Sequence, residues 1–430
     1  MYCARKRTHA ASVRSKEPMF FRTLFGLPLS REAFARKLIA MAREAGQPDW
    51  QYNPTDAFLF NTVKSGQRVN LINIYREYQD AKPKQRNGLL LKYSSLLTRN
   101  AEVPKLWTLA ATGIFPAIRS RYTTTVVEIE QRDQRKPFPP VMRRPLCEDL
   151  SLALLYDFGP HMSHVSQEVA DTWGVPAEDI WTRALANLRG LQRPKWEAVA
   201  PGVFRLLSAV SYEETFLLVN EVATALPCGE RAVFALPNRG VLLAADSADP
   251  QACGRLIATA RQHLENSPWP LSGTLLQRAG GEFRTYEPPA EYADAARSLR
   301  IYDMGYVYRD QKTALDQLHE RTKVDVFVAT FMVRSVNDAT DRLQSWCSWS
   351  KGVRSLLPLT DYVIFNSAPG AQPPKPLVLV PWETVERICG AHLKKTDEEP
   401  VRYEVDAFPT AEEYKLLSEA PGSTVVQPKG

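Results

Sequence analysis

The segment VFALPNRGVLLAADS, residues 233–247, constrains the fold more than any other stretch. Two apolar runs flank Pro237-Asn238-Arg239-Gly240. Short continuous apolar runs bounded by turn residues read as strands shielded by protein. Pro237 cannot donate to a strand ladder, so it belongs at a strand end or edge. Asn238 and Gly240 tolerate the positive φ of a tight turn. The segment therefore predicts a β-hairpin. Within it, Arg239 is the one side chain without a structural reason to be there. Arg239, with Asn238 beside it, is a candidate for binding at the turn.

Similar punctuation recurs along the chain. Residues 30–46 read as a helix, with Ser30 as N-cap, Glu32 in the first turn and Gly46 at the end. AFLFNTVKSGQRVNLINIY predicts two strands, residues 57–63 and 68–75, joined through Ser65-Gly66. Residues 88–97 and 105–111 read as helices. YTTTVVEIE predicts a strand because β-branched residues favour a pleated surface. QRDQRKPFPPVMRRP reads as a basic, proline-rich loop, and LSLALLYDFG as a buried strand. PAEDIWTRALANLRGL has Pro176 at its start, Glu178 and Asp179 in the first turn, and an apolar stripe, so it predicts a helix. VFRLL and TFLLV read as strands, residues 251–264 as a helix, and TLLQRAGGEFRTYEP as a hairpin turning at Gly280-Gly281. Beyond the linker Pro288-Pro289, residues 303–321 predict a helix and VDVFVATFMV a central strand. TDYVIFN and LVLVPW predict two paired strands, and residues 384–393 a helix. The tail after Leu417 is expected to fray.

This order predicts an α+β fold: two domains of mixed or antiparallel sheets flanked by helices, with a further C-terminal α+β unit. The expected segments are 1–18, 19–145, 146–289 and 290–430. Residues 1–18 carry five cations against one acid, a net +4 of the chain's formal +6, so the remainder is nearly neutral. That asymmetry argues against a broad nucleic-acid footprint. The first 18 residues read as a disordered basic arm or as sequence upstream of a start at Met19. No apolar run reaches the roughly 18 residues of a membrane span. Six scattered cysteines without a C-x-x-C pair read as thiols of a reducing compartment, and the cytoplasm is the expected location.

Local catalytic signatures are absent: there is no P-loop, no G-x-S-x-G and no H-E-x-x-H. His161 and His164, in H-x-x-H after Gly159-Pro160, form the sharpest constellation. Asp157 and Cys147 lie upstream, but a metal centre needs three or four converging ligands, and a polar loop is the preferred reading. Neither a metal nor a cofactor is expected. Cys228 and Cys347 have no local histidine and read as structural thiols. Between Arg119 and Arg144, Arg121, Arg132, Arg135, Lys136 and Arg143 add cations, and Tyr122 and Phe138 are available for base stacking. Glu128, Glu130 and Asp133 offset three of these, so solvated charge is preferred. Trp346 and Trp349 in SWCSWSKG lie near an expected loop, where tryptophans serve as interface anchors or as core.

DLSLALLYDFG, WGVPAEDIWTRALANL, ERAVFALPNRGVLLAADSAD and PLSGTLLQRAGGEFRTYEP occur in that order. Through them the chain, from about Met19 to Pro288, resembles the YtpQ-like family of bacterial proteins of unknown function. SAVSYEETFLL departs from the more polar turn expected at that place. The resemblance implies a bacterial cytosolic α+β protein and transfers no catalytic residue. The favoured expectation is a non-enzymatic protein that binds another protein. The alternatives are a hydrolase with dispersed residues (His161, His164, Asp157 and Cys228) and a nucleic-acid binder acting through the Arg119 to Arg144 segment. No membrane association is expected.

Overall fold

The structure is a computed structural model that describes residues 27–54, 58–62, 68–98, 102–133, 139–159, 162–210, 212–266, 269–337, 342–371 and 376–426. The basic arm, Ser65-Gly66, Arg135, Lys136, Phe138 and His161 lie outside them. The chain has an α+β fold and divides into two units, residues 1–101 with 159–161, and residues 102–158 with 162–430.

In the first unit, α1 (Arg31–Glu44) starts as expected, the Ser30 hydroxyl accepting from the Ala33 N–H at 3.2 Å. β1 (Trp50–Asn53), β2 (Phe58–Asn61) and β3 (Arg68–Asn70) form an antiparallel sheet. The expected strand at residues 68–75 is cut short, because α2 (Leu71–Asp80) begins at Leu71. Leu71, Ile74 and Tyr78 recur at helical spacing and are buried, and the Tyr78 ring lies 4.6 Å from that of Phe34. α3 (Pro83–Thr98) completes the unit, its Leu97 carbonyl accepting from Trp50 Nε1 at 2.9 Å.

The second unit opens with α4 (Trp107–Ala110) and β4 (Ile114–Ser120). YTTTVVEIE then forms a helix, α5 (Thr123–Gln131), rather than a strand. Tertiary packing overrides β-propensity here: Ile129 is buried one helical turn from buried Thr125 and packs with Ala314, Leu315 and Leu318. β5 (Arg143–Pro145), β6 (Leu150–Asp157) and β7 (Met162–His164) join β4 in a four-stranded antiparallel sheet. β4 lies along one side of β6, and β5 and β7 along the other. The pairing of β4 with β6 crosses the expected boundary at 145/146, so residues 102–145 belong to the second unit.

After α6 (Gln167–Asp171) and α7 (Ala177–Arg189) come β8 (Lys195–Ala200) and β9 (Val203–Leu207). TFLLV is not a strand. Residues 214–218 form a 3-10 turn whose Phe216 and Leu217 are buried, while the Thr215 hydroxyl accepts from the Ile118 N–H. α8 (Asn220–Ala223) leads to the hairpin, β10 (Ala232–Asn238) and β11 (Val241–Asp246). Next come α9 (Pro250–Asn266), β12 (Leu275–Ala279) and β13 (Glu282–Thr285). The six strands form an antiparallel sheet ordered β13-β12-β10-β11-β9-β8. Phe234, Leu236, Leu242 and Ala244 pack into one core with the β4–β7 sheet and α7. Val233, Ala235, Leu243 and Ala245 pack on the opposite face against Leu256, Ile257 and Ala260 of α9. Both faces of the hairpin are covered, which is why its strands read as continuous apolar runs.

α10 (Ala290–Thr322) is about 50 Å long at 1.5 Å per residue. Its Ala296 and Leu299 pack with α9, so residue 290 begins a bridging helix rather than a separate unit. VDVFVATFMV is not one central strand: β14 (Phe327–Val328) and β15 (Met332–Asn337) lie in different sheets. Ala329 and Phe331 turn the chain between them, Ala329 buried and Phe331 stacked 5.0 Å from Tyr308. One sheet is ordered β14, β17 (Ser355–Pro358), β21 (Arg402–Val405), β20 (Lys394–Lys395). The other is ordered β15, β16 (Arg342–Ser350), β18 (Tyr362–Asn366), β19 (Leu377–Pro381), β22 (Thr424–Val426). β18 and β19 pair as expected. The tail does not fray at Leu417, because α12 (Ala411–Glu419), which comes after α11 (Trp382–Cys389), anchors fully buried Leu417 and β22 adds to β19. Trp349 lies in the core of this region with Phe365 and Cys347, so it is not an interface anchor; Trp346, on the same strand, is half-buried.

Candidate functional site

Three chain segments bring charge together beside the hairpin turn. Arg119 on β4 pairs with Ser151, and His164 on β7 with Leu155. Side chains alternate along a strand, so Ser151, Leu155 and Asp157 share one face of the sheet, and Arg119 and His164 share it with them. The 3-10 turn contributes Glu213 and Glu214, and the β10–β11 turn contributes Asn238, Arg239 and Gly240.

Glu214 ties these segments. One carboxylate oxygen accepts from Arg119 Nη1 at 3.0 Å, and the other accepts from the Gly240 N–H at 2.9 Å. Its side chain is 4% exposed, so this is a nearly dry ion pair. Gly240 has φ +74°, which a β-carbon would strain, and this lets the turn present its amide to Glu214. Arg119 Nη1 also donates to its neighbouring Ile118 carbonyl at 2.7 Å.

Arg239 is held differently. Its backbone N–H donates to the Trp269 carbonyl at 3.0 Å, and its guanidinium lies over the Trp269 ring, 5.1 Å from the centroid. Among the described residues the guanidinium has no hydrogen-bond or ion-pair partner. Burial and then the facing charge of Arg119 push it down to about 10, with Glu214 opposing them. Asn238 donates from Nδ2 to the Arg239 carbonyl at 3.1 Å, while among the described residues its buried Oδ1 has no partner. His164 is exposed at the rim, and the protein packed around it, then Arg119 and Arg239, hold its imidazole below the usual range. A neutral His164 adds no third positive charge. Asp157 accepts from the Tyr212 hydroxyl at 2.9 Å, and burial raises that phenol. Burial, then the neighbouring Glu214, raises Glu213.

Of the residues expected from the sequence, Arg239, Asn238 and His164 come together, with Asp157 on the same sheet face. Trp346 and Trp349 lie elsewhere, in the sheet built on β16. Cys228 is buried with its sulfur 4.0 Å from the Ala245 carbonyl, and burial raises its thiol, the reverse of what a nucleophile requires. Arg119, Glu214 and Trp269 were not expected as a group. Arg119 was hidden in a run of cations, and Glu214 in an expected strand.

The arginines of the basic segment are matched with acids. Arg121 pairs with Glu399, Arg132 with Glu398, Arg143 with Glu128 and Arg144 with Glu178. Beside the hairpin turn, among the described residues, the guanidinium of Arg239 is the donor poised for something external. Its planar fork suits a carboxylate in two-point contact, and a charge-assisted pair of this kind is about twice as strong as a neutral one. Among the described residues no group of three or more His, Cys, Asp or Glu side chains converges as a metal set. No family model, curated protein or solved structure matches the chain.

Proposed function

We propose that the protein is a non-enzymatic binding module that docks a partner protein through a carboxylate seated at Arg239. The observation that carries this reading is a half-buried guanidinium with no acceptor among the described residues, in a site where Arg119 and Glu214 already satisfy each other. The neighbouring strands favour an extended partner segment. β5 and β7 line one margin of their sheet, and among the described residues no strand covers their outer edges. An added strand there draws affinity from backbone hydrogen bonds and specificity from side-chain pockets, and Arg239 supplies such a pocket for Asp, Glu or a chain terminus. A hydrolase reading is weaker, because among the described residues no nucleophile is bonded to His164 and the Cys228 thiol is buried. A nucleic-acid reading is weaker because Arg119, Arg121 and Arg132 of its segment pair with acids within 3.0 Å. Membership of the YtpQ-like family and a cytoplasmic location belong to the same proposal; among the described residues no helix is long and apolar enough to cross a membrane.

Selection from a random-peptide display library tests the docking reading. The wild type is expected to enrich peptides with Asp, Glu or a free carboxyl end at a fixed position, and Arg239→Gln to lose that enrichment. Peptides without an acidic preference, or the same peptides from the variant, overturn it.

A further inference from the structure

A second cleft lies on the other face of the β4–β7 sheet. It encloses about 740 Å³ and is bounded by Pro116 of β4, Leu152 of β6, Trp181 and Leu185 of α7, and the hairpin β12–β13. Leu218 and Phe283 add apolar surface to a lining that is more polar than apolar. That volume falls within the range of small-molecule sites.

The polar groups here are two arginines, each laid over an aromatic ring of the cleft. Arg144 sits 4.8 Å from the Trp181 centroid, and Arg278 sits 5.8 Å from that of Phe283. A guanidinium stacked by its face keeps its N–H edge available, and the ring fixes its direction. The acids beside them are poor competitors. Glu178 is 83% exposed and 3.5 Å from Arg144, and Glu282, on the cleft wall, pairs with Arg284 outside it. Arg278 also donates to the Asn220 amide oxygen, a neutral acceptor that leaves its charge uncompensated.

We propose that this cleft binds a small organic acid, its apolar body on the Leu152, Trp181, Leu185 and Phe283 floor and its carboxylate between Arg144 and Arg278. Apolar burial supplies affinity and the two guanidinium edges supply the requirement for an anion. The site is separate from Arg239, and neither reading depends on the other.

Calorimetric titration with decanoate and with 1-decanol separates charge from chain. Decanoate is expected to bind the full chain saturably, and 1-decanol about tenfold more weakly, as befits loss of a charge-assisted contact. The half-exposed pair R144Q/R278Q is expected to lower decanoate affinity about tenfold with unchanged circular dichroism. Leu185→Trp, which fills the floor, is expected to weaken decanoate and decanol alike. In Arg239→Gln the decanoate site that R144Q/R278Q weakens is expected to remain, whatever carboxylate binding the hairpin turn loses. Absence of saturable binding, equal affinity for acid and alcohol, or retention by both R144Q/R278Q and Leu185→Trp overturns the proposal. Loss of the decanoate site in Arg239→Gln overturns it as well, assigning the acid to the other site.

Discussion

Two guanidiniums in the second unit carry the same electrostatic burden and are treated in opposite ways. Arg402 on β21 is fully buried and Arg239 half-buried, and burial pushes each down to about 10. Every nitrogen of the Arg402 guanidinium has an acceptor. Its Nε donates to Gln311 Oε1 at 2.6 Å, Nη1 to the carbonyls of Ala329 and Leu356, and Nη2 to that of Tyr308. The Tyr308 ring lies 5.2 Å beneath it. Four segments, α10, the turn after β14, β17 and β21, are thereby pinned to one side chain. Arg239 has a ring beneath it as well, but no acceptor around it among the described residues. A buried donor that the fold satisfies is architecture; a donor that it leaves unsatisfied, at a turn and beside a second cation, is a cost retained for something outside the chain.

The widest separation between the two is expected in stability. Arg402→Met removes every donor and strands the Ala329 carbonyl and the Gln311 oxygen, while the Leu356 carbonyl keeps the Ala329 N–H at 3.0 Å and that of Tyr308 stays within its helix. Each stranded acceptor costs about 1–3 kcal/mol, and partial relaxation brings the total to about 3–5 kcal/mol. Urea unfolding followed by fluorescence reads this as a lower midpoint. A loss under about 1 kcal/mol, the level of a dispensable surface contact, would erase the contrast with Arg239.

Buried acids sharpen the same contrast through pH. Asp303 on α10 accepts the Gly273 N–H at 3.0 Å, and burial, then the charge of Asp149, pushes it up to about 7. Asp149 accepts from the Ser272 and Thr274 hydroxyls, while among the described residues its Oδ1 has no partner, and burial raises it too. With the folded pKa above the unfolded value of 3.8, Asp303 contributes stability in full below that value and loses it as pH rises through about 7. Asp303→Asn keeps an oxygen for Gly273 and cannot ionise. It is expected to flatten this dependence and to be more stable than the wild type at pH 8, by on the order of 2 kcal/mol. Parallel pH profiles for the two proteins would show that Asp303 is not the titrating group.

What was legible in the sequence tracks whether a residue's role is local. Ser30 caps the helix it precedes, and Gly240 turns the hairpin that encloses it; both were readable from neighbours. The α5 segment was misread because its β-branched residues are helical only when Ala314 and Leu315, far along the chain, cover Ile129. VDVFVATFMV was misread because apolar character cannot tell one long strand from two short ones in different sheets. At the candidate site, Arg239 stood out as the exception in an otherwise explained hairpin. Glu214 and Arg119, 95 residues apart, became a pair only in three dimensions. The two arginines illustrate the limit: nothing within VRYEV marks Arg402 as buried, since its acceptors lie on distant segments.

The smallest expected effect decides the comparison. Arg239→Met keeps an apolar stem against Trp269 and strands no acceptor, because the guanidinium had none among the described residues. Removing an uncompensated, half-buried charge beside Arg119 is expected to leave stability unchanged or raise it by up to about 1 kcal/mol, against the large loss at Arg402. Mass action supplies a second readout. An anion that binds the folded state raises its stability as concentration exceeds the dissociation constant. Acetate replacing chloride at equal ionic strength is therefore expected to stabilise the wild type more than Arg239→Met. If Arg239→Met instead loses about 2 kcal/mol or more, as expected when a core contact is deleted, and acetate makes no distinction, Arg239 is a structural residue like Arg402 and the turn has no vacancy for a carboxylate.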